Sequence, residues 1–423
     1  MAETWLTAAL ADPSDDALDI MRLSLVDWLA CGVAGVSEPV AKLTRSLALD
    51  DGGTAQASLF GGGKVPCRAA ALVNGATSHA LDYDDTHFAH IGHPSVAVIP
   101  AALAMAEAQG ADFDTFLRAC LAGCEASIRM GLRLGRDHYQ VGFHQTATAG
   151  AFGATVAAGV ILKLDPLHMA HALGLVSTRA SGLKSQFGTM GKPYNAGIAA
   201  SNGVEAAILA ARGFVSNPDA IAGQNGFLPT HHANGSDDQP NGWMMEQISH
   251  KFHACCHGLH ATLEALETLK PIPVDAIQGI AITTHPRWMT VCNQPDPQTG
   301  LEAKFSYRAV VALSMLGHST GALASYRDDL VLRSDVVAML NKVTVHADPD
   351  MPETAAHVVV QADQETQAFY DLNAPMNIGL RSEKIRAKAQ VLVGSDQVWH
   401  SVTSGDLSAV LGVMAGAEAQ SAS

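Results

Sequence analysis

The densest run of chemically capable side chains is HALDYDDTHFAHIGHPS at 79–95. Four histidines (His79, His87, His90, His93) and three aspartates (Asp82, Asp84, Asp85) fall there within fifteen residues. Imidazole titrates near working pH, so a histidine-rich loop of this kind suits general acid/base chemistry. Pro94 and Ser95 mark a helix start ahead of the apolar run from Val96. The free backbone N–H groups at such an end favour a bound anion, on which a neighbouring histidine could act. The plainer alternative is a solvated capping loop.

Three further clusters stand beside it. GFHQT at 142–146 opens a small-residue helix and puts His144 at a second helix N-terminus, where a purely structural histidine is the alternative. GTMGKPYNAG at 188–197 is a glycine-punctuated loop with one lysine, Lys192, leading into another helix. A lysine there adds a point charge to backbone donors. The stretch lacks GxxxxGK[ST] spacing and is not a P-loop; a lysine in a surface turn is its alternative. KFHACCHGLH at 251–260 carries soft and borderline ligands that admit a zinc reading. Against zinc, no matching CxxC or HxxxH pair lies elsewhere to complete two separated ligand pairs.

The elements that position these clusters read as helices. Apolar residues recur at helical spacing from Ser14 to Val36, with Asp15 and Asp16 at the start. Small-residue helices follow at Arg68–Leu81, Ser95–Gln109, Phe113–Leu134, Thr146–Leu162, His168–Ser177 and Ala196–Ala211, with little that reads as strand. The character changes near Pro271–Pro273. Ala276–Thr284, Lys342–His346 and His357–Gln361 read as strands, and Tyr307–Leu316 and Asp335–Leu340 as helices. An apolar helix returns at Gly405–Met414, followed by an Ala/Ser-rich tail expected to fray. The expected fold is mostly α: a large all-helical domain over 1–268 with 398–423, and a smaller α+β domain over 269–397.

Composition narrows the partners. Of 423 residues, 26 are basic and 41 acidic, giving a net charge of −15. That field repels phosphate backbones and anionic membranes, so no nucleic-acid or membrane partner is expected. A small anionic substrate then needs a compact, locally positive pocket. The first ten residues lack the pattern of a signal peptide and no apolar run reaches about 18 residues, so a soluble, cytoplasmic protein is expected. Seven scattered cysteines predict reduced, buried thiols rather than a disulfide scaffold.

Taken together, HALDYDDTHFAHIGHPSVAVIPA, GFHQTATAGAFGA and FGTMGKPYNAG, in this order, resemble the MmgE/PrpD family over nearly the whole chain. The family includes 2-methylcitrate dehydratase, cis-aconitate decarboxylase and iminodisuccinate epimerase. The resemblance implies that the α+β domain is a lid, that the protein is a homodimer and that no cofactor or metal is used. It carries the family's active-site aspartate onto Asp82, its threonine onto Thr86, its histidines onto His93 and His144, and its lysines onto Lys192 and Lys251. His257 or His253 lines the same pocket. The chain departs from many relatives at Ala309, where they carry tyrosine, and at Asn195, where they carry histidine.

On this resemblance the expected activity is a cofactor-independent lyase acting on a small di- or tricarboxylate, with an epimerase as the alternative. His93 or His144 moves a proton next to a carboxylate, Lys192 and Lys251 hold carboxylates, Asp82 orients or tunes a histidine, and Thr86 hydrogen-bonds substrate or loop. A metallohydrolase built on the 79–93 loop or the CCHxxH stretch, and a carboxylate-binding protein without catalysis, remain the rival readings.

Overall fold

A computed structural model describes residues 4–238, 240–269 and 271–417; the predicted tail beyond 417 lies outside the described residues. Among them, nineteen α-helices stand against six short strands, so the chain is mostly α. It divides into two compact units. The first takes residues up to His250 and again from Ile385 onward, and the second takes Lys251–Lys384. No single helix among the described residues is long and apolar enough to cross a membrane.

In the first unit the predicted helices form with caps where the sequence offers them. Ser14 accepts from the Ala17 N–H ahead of helix Asp15–Gly35, and Asp112 accepts from Thr115 ahead of Phe113–Gln140. The latter helix is broken by Gly135 at φ +72, where a Cβ would lie 2.3 Å from Asn234 Oδ1. Leu134 is thus the last residue before a break, after which the chain turns helical again to Gln140.

The small-residue content is used where helices cross. Helix Cys67–Ser78 meets helix Gly191–Ala211 at Gly75, where an added Cβ would sit 2.9 Å from Gly197 Cα. Helix Phe113–Gln140 meets Gln145–Ile161 at Gly123 and Gly153, where added Cβ atoms would reach the partner's carbonyl oxygen at 2.7 and 2.4 Å. Backbone-to-backbone contact leaves no room for a methyl group, which holds the helix axes in one relative position. These packed helices carry the site residues at their N-termini.

Several elements differ from the expectation. Helix Cys67–Ser78 stops three residues before Leu81 because His79 caps it, its N–H facing the Gly75 and Thr77 carbonyls. The Gly191 helix begins five residues before Ala196, since Pro193 is tolerated in a first turn that makes no intrahelical N–H bond. Ala57–Ser58 pairs with Lys64–Val65 in a small antiparallel ladder where no strand was expected. Helices Pro39–Asp51, His260–Leu269 and Ile378–Val393 and strand Glu365–Asp371 are additional elements. The first shows Leu43 and Leu47 to solvent, and the third buries only Ile385, Lys388 and Ala389, so neither presents a clean apolar stripe.

The second unit is built on a four-stranded sheet in the order Val343–Ala347, Gly279–Thr284, Ala355–Gln361, Glu365–Asp371. The first pair is parallel and the others antiparallel. Strand Gly279–Thr284 buries Ile280, Ile282 and Thr284 in alternation, as a half-buried strand must. Helix His260–Leu269 packs on the last two strands and Tyr307–Met315 on the first.

Candidate active site

The 79–95 segment folds into a tight loop between two helices. His79 caps the first, Asp82 adopts a left-handed conformation (φ 51), and Ser95 begins the second. A positive φ at a non-glycine residue is strained and persists only where its surroundings enforce it. Asp85 enforces part of it by accepting from Ser95 Oγ at 2.5 Å. Thr86 exchanges backbone hydrogen bonds with Ser249 at 2.9 and 2.8 Å.

Asp84 is the centre of the site. Its side chain is fully buried and its two oxygens face two imidazoles: Oδ1 lies 2.8 Å from His79 Nδ1 and Oδ2 lies 2.7 Å from His93 Nδ1. His79 donates from Nδ1 to an ionised Asp84, while His93 Nδ1 faces the other oxygen at ion-pair distance without hydrogen-bond alignment. Burial alone would raise its pKa, but His79 and His93 outweigh burial and hold it well below the usual carboxylate range. Burial pushes His79 the other way, towards its neutral form, with Asp84 opposing.

His93 is thereby left with Nε2 as its working atom, 3.3 Å from Asp82 Oδ1. The same Asp82 oxygen is 2.5 Å from Lys192 Nζ, so Asp82 links the imidazole to the ammonium. The His93 backbone N–H donates to Thr146 Oγ1 at 3.1 Å, which ties this loop to the helix that follows His144. His93, His144 and Lys192 come from three separate helix N-termini, as the sequence places them, and meet in one site.

His144 is buried beneath Phe187, whose ring stands edge-on to it at 4.9 Å. The Asn195 amide nitrogen lies 3.3 Å from the Leu183 carbonyl and 3.3 Å from His144 Nδ1. The carbonyl fixes that amide end as the donor, so Nδ1 accepts and Nε2 carries the proton. Burial, then the nearby Lys192 charge, holds His144 well below the ordinary histidine pKa. Asn195, one of the two departures, thus sets the tautomer of a neutral His144.

His79 and Asp84 are functional candidates that the resemblance, which points to Asp82 and His93, does not carry over. Their signal was present in the HxxxxD spacing across the end of a helix, which brings the imidazole back onto the carboxylate five residues on. Lys251 and His257 lie in the second unit. Lys251 is buried, and His257 opens a short turn with its ring 4.7 Å from that of His260. Ala309, the other departure, is fully buried in helix Tyr307–Met315.

His79, Asp82, Asp84 and His93 offer atoms within 4.8 Å of one another, close enough to hold a metal ion. Asp84 Oδ1 is taken by His79 Nδ1, and the Lys192 ammonium stands against the Asp82 oxygen nearest the group, a positive charge that opposes a cation there. Among the described residues the CCHxxH stretch forms no such group. All seven cysteines are free thiols, and only Cys256 is partly exposed.

Residues 1–238 match the MmgE/PrpD N-terminal domain and residues 253–397 the MmgE/PrpD C-terminal domain. The cis-aconitate decarboxylase-like protein oryM of Aspergillus oryzae is 29% identical over 291 residues, 63% of this chain and 60% of that protein. A cis-aconitate decarboxylase of Aspergillus terreus is 24% identical over 428 residues, 92% of this chain and 87% of its own length. The Homo sapiens cis-aconitate decarboxylase is 26% identical over 421 residues, 91% and 86% of the two chains.

Proposed function

The chain belongs to the MmgE/PrpD family, and from that premise we propose that it is a cofactor-independent lyase that moves a proton beside a carboxylate of a small di- or tricarboxylic acid. The observation that carries this reading is the double clamp of Asp84 on His79 and His93. It holds the His93 ring by Nδ1 and leaves Nε2 to take or give the proton. The relatives' printed activity, cis-aconitate decarboxylation, supports lyase chemistry of this type.

Removing CO₂ or water from such acids builds negative charge next to a carboxylate. Lys192 and the helix ends beside it supply preorganised positive charge for that state. In a decarboxylation the electron pair of the broken C–C bond is quenched by a proton from His93 or His144. In a dehydration His93 Nε2 takes the proton next to the carboxylate and the hydroxyl leaves with a proton from His144. Thr86 is a substrate contact in this account. Lys251 and His257 enter as candidates from the resemblance alone, as does the homodimer.

One observation favours a second reading. His93 and His144 bring two imidazoles from separate loops into one site, and an epimerase of the iminodisuccinate type needs two proton-handling groups on opposite faces of its stereocentre. Proton NMR of reactions with 2-methylcitrate, cis-aconitate and iminodisuccinate separates these outcomes by product. Loss of CO₂ or water supports the lyase and racemisation the epimerase. A folded protein that converts none of them contradicts both.

A further inference from the structure

Lys388 is 4% exposed on helix Ile378–Val393, within the part of that helix that belongs to the first unit. Its ammonium contacts the carboxylate of Asp27, itself buried on helix Asp15–Gly35. It also lies 3.9 Å from the centre of the Tyr83 ring and donates to the Tyr83 carbonyl at 2.6 Å. That carbonyl belongs to the peptide joining Tyr83 to Asp84, the residue that clamps both imidazoles.

A buried ion pair is a costly way to join two helices, because both ions lose their hydration, and apolar residues of similar volume often serve as well or better. Packing therefore does not account for Lys388. What no apolar residue can supply is a donor to the Tyr83 carbonyl. Burial raises the pKa of Asp27 and Cys31, Lys388 lowers both and Asp84 and Asp85 raise both, so the cation sits among acidic groups that repel one another. Burial pushes Asp27 up to about 7, with Lys388 opposing.

We propose that Lys388 is a positioning residue for the site. By pinning the Tyr83–Asp84 peptide next to the strained Asp82, it holds Asp84 in the one orientation from which it engages His79 and His93 together. Asp27 keeps the ammonium aimed. The inference rests on the reading of His93 and Asp84 as the acid–base pair. Its signature lies in the ring nitrogens of His79 and His93, which can be observed without substrate.

The test compares the parent with Asp27→Val/Lys388→Met, which removes both charges; Lys388→Met alone would leave Asp27 unpaired and unstable. Protein labelled with ¹⁵N-histidine reports the ring nitrogens of His79, bonded to Asp84, and of His93, whose Nδ1 faces Asp84. Thermal melting reports the fold, and turnover reports the chemistry. The double variant should melt within about 5 °C of the parent. It should lose or broaden the His93 Nδ1 signal, and kcat should fall roughly 30-fold or more with KM within about twofold.

A folded double variant that keeps both signals and full kcat overturns the positioning role and leaves the lyase reading standing. If the parent converts no acid while only the variant loses the His93 signal, the positioning role stands and the lyase reading falls. Lys388→Arg, which retains a charged donor, should keep the signal. Loss of the signal in that folded variant while the double variant keeps it would also overturn the proposal.

Discussion

Asp84 Oδ2 lies 2.7 Å from His93 Nδ1, and the carboxylate that makes this contact has no exposed side-chain surface. A buried carboxylate on one imidazole nitrogen makes the other nitrogen the reactive one and stabilises the ring when it becomes charged. Asp84→Asn keeps the shape but removes the charge. It should lower kcat by about 10²- to 10⁴-fold with the melting transition retained. Steady-state kinetics with the acid the enzyme converts, beside a thermal melt, checks this; an unchanged kcat would remove Asp84 from the mechanism.

Asn195 is expected to act through His144. Asn195→Leu removes the donor to Nδ1, so the buried ring can populate both neutral tautomers and loses its fixed Nε2–H. Nitrogen-15 NMR of the histidine rings should show the mixture, and kcat should drop by on the order of tenfold. A variant with a single Nε2–H tautomer and parental kcat would mean that other contacts set the ring.

The Lys192 ammonium against Asp82 Oδ1 predicts indifference to chelators. Dialysis against EDTA should leave turnover within about twofold of the untreated enzyme, the size of ordinary assay variation. Loss of activity restored by a divalent ion would instead favour the ligand-set reading of His79, Asp82, Asp84 and His93.

Acid should destabilise the first unit. Burial lowers His87 to about 4, with its bond to the Met244 carbonyl opposing. Burial lowers His90 to about 3, and His138 to about 4. Their folded values lie below the ordinary 6.5, so the stability they contribute is fully present above pH 6.5 and lost as pH falls towards 3–4. Each adds a slope of at most ~1.4 kcal/mol per pH unit. Asp27, raised to about 7, and Asp85 and Glu125, also raised by burial, run the other way, losing stability as pH rises. But His79, His144 and His231 are lowered as well, so six histidines stand against three carboxylates. Urea unfolding from pH 7.5 to 4.5 should show decreasing stability. The slope should flatten in His90→Leu, because neither nitrogen of the buried His90 ring has a hydrogen-bond partner among the described residues.

Much of this arrangement could be read from the chain. The three motifs that carry His93, His144 and Lys192 each precede a small-residue helix, so their placement at helix N-termini followed from local pattern. Their convergence did not, because it depends on glycine-to-glycine helix crossings such as Gly75 with Gly197 that no local window records. Asp84 and His79 were hidden for a different reason. In a run of seven candidates, residue type cannot say which carboxylate turns inward, and the left-handed turn at Asp82 decides it. Helix Ile378–Val393 was missed because the buried stripe that should announce it contains Lys388, whose role lies with Tyr83 and Asp27 rather than with an apolar core.

Proton exchange tests the central claim most directly. The enzyme and its His93→Gln variant are incubated in D₂O with the acid that the parent converts, and deuterium entry at the carbon beside the carboxylate is followed by proton NMR. The parent should incorporate deuterium there. The variant, folded and still able to bind the acid, should incorporate it at least about 100-fold more slowly. Equal deuterium entry in parent and variant would contradict the assignment of proton transfer to His93.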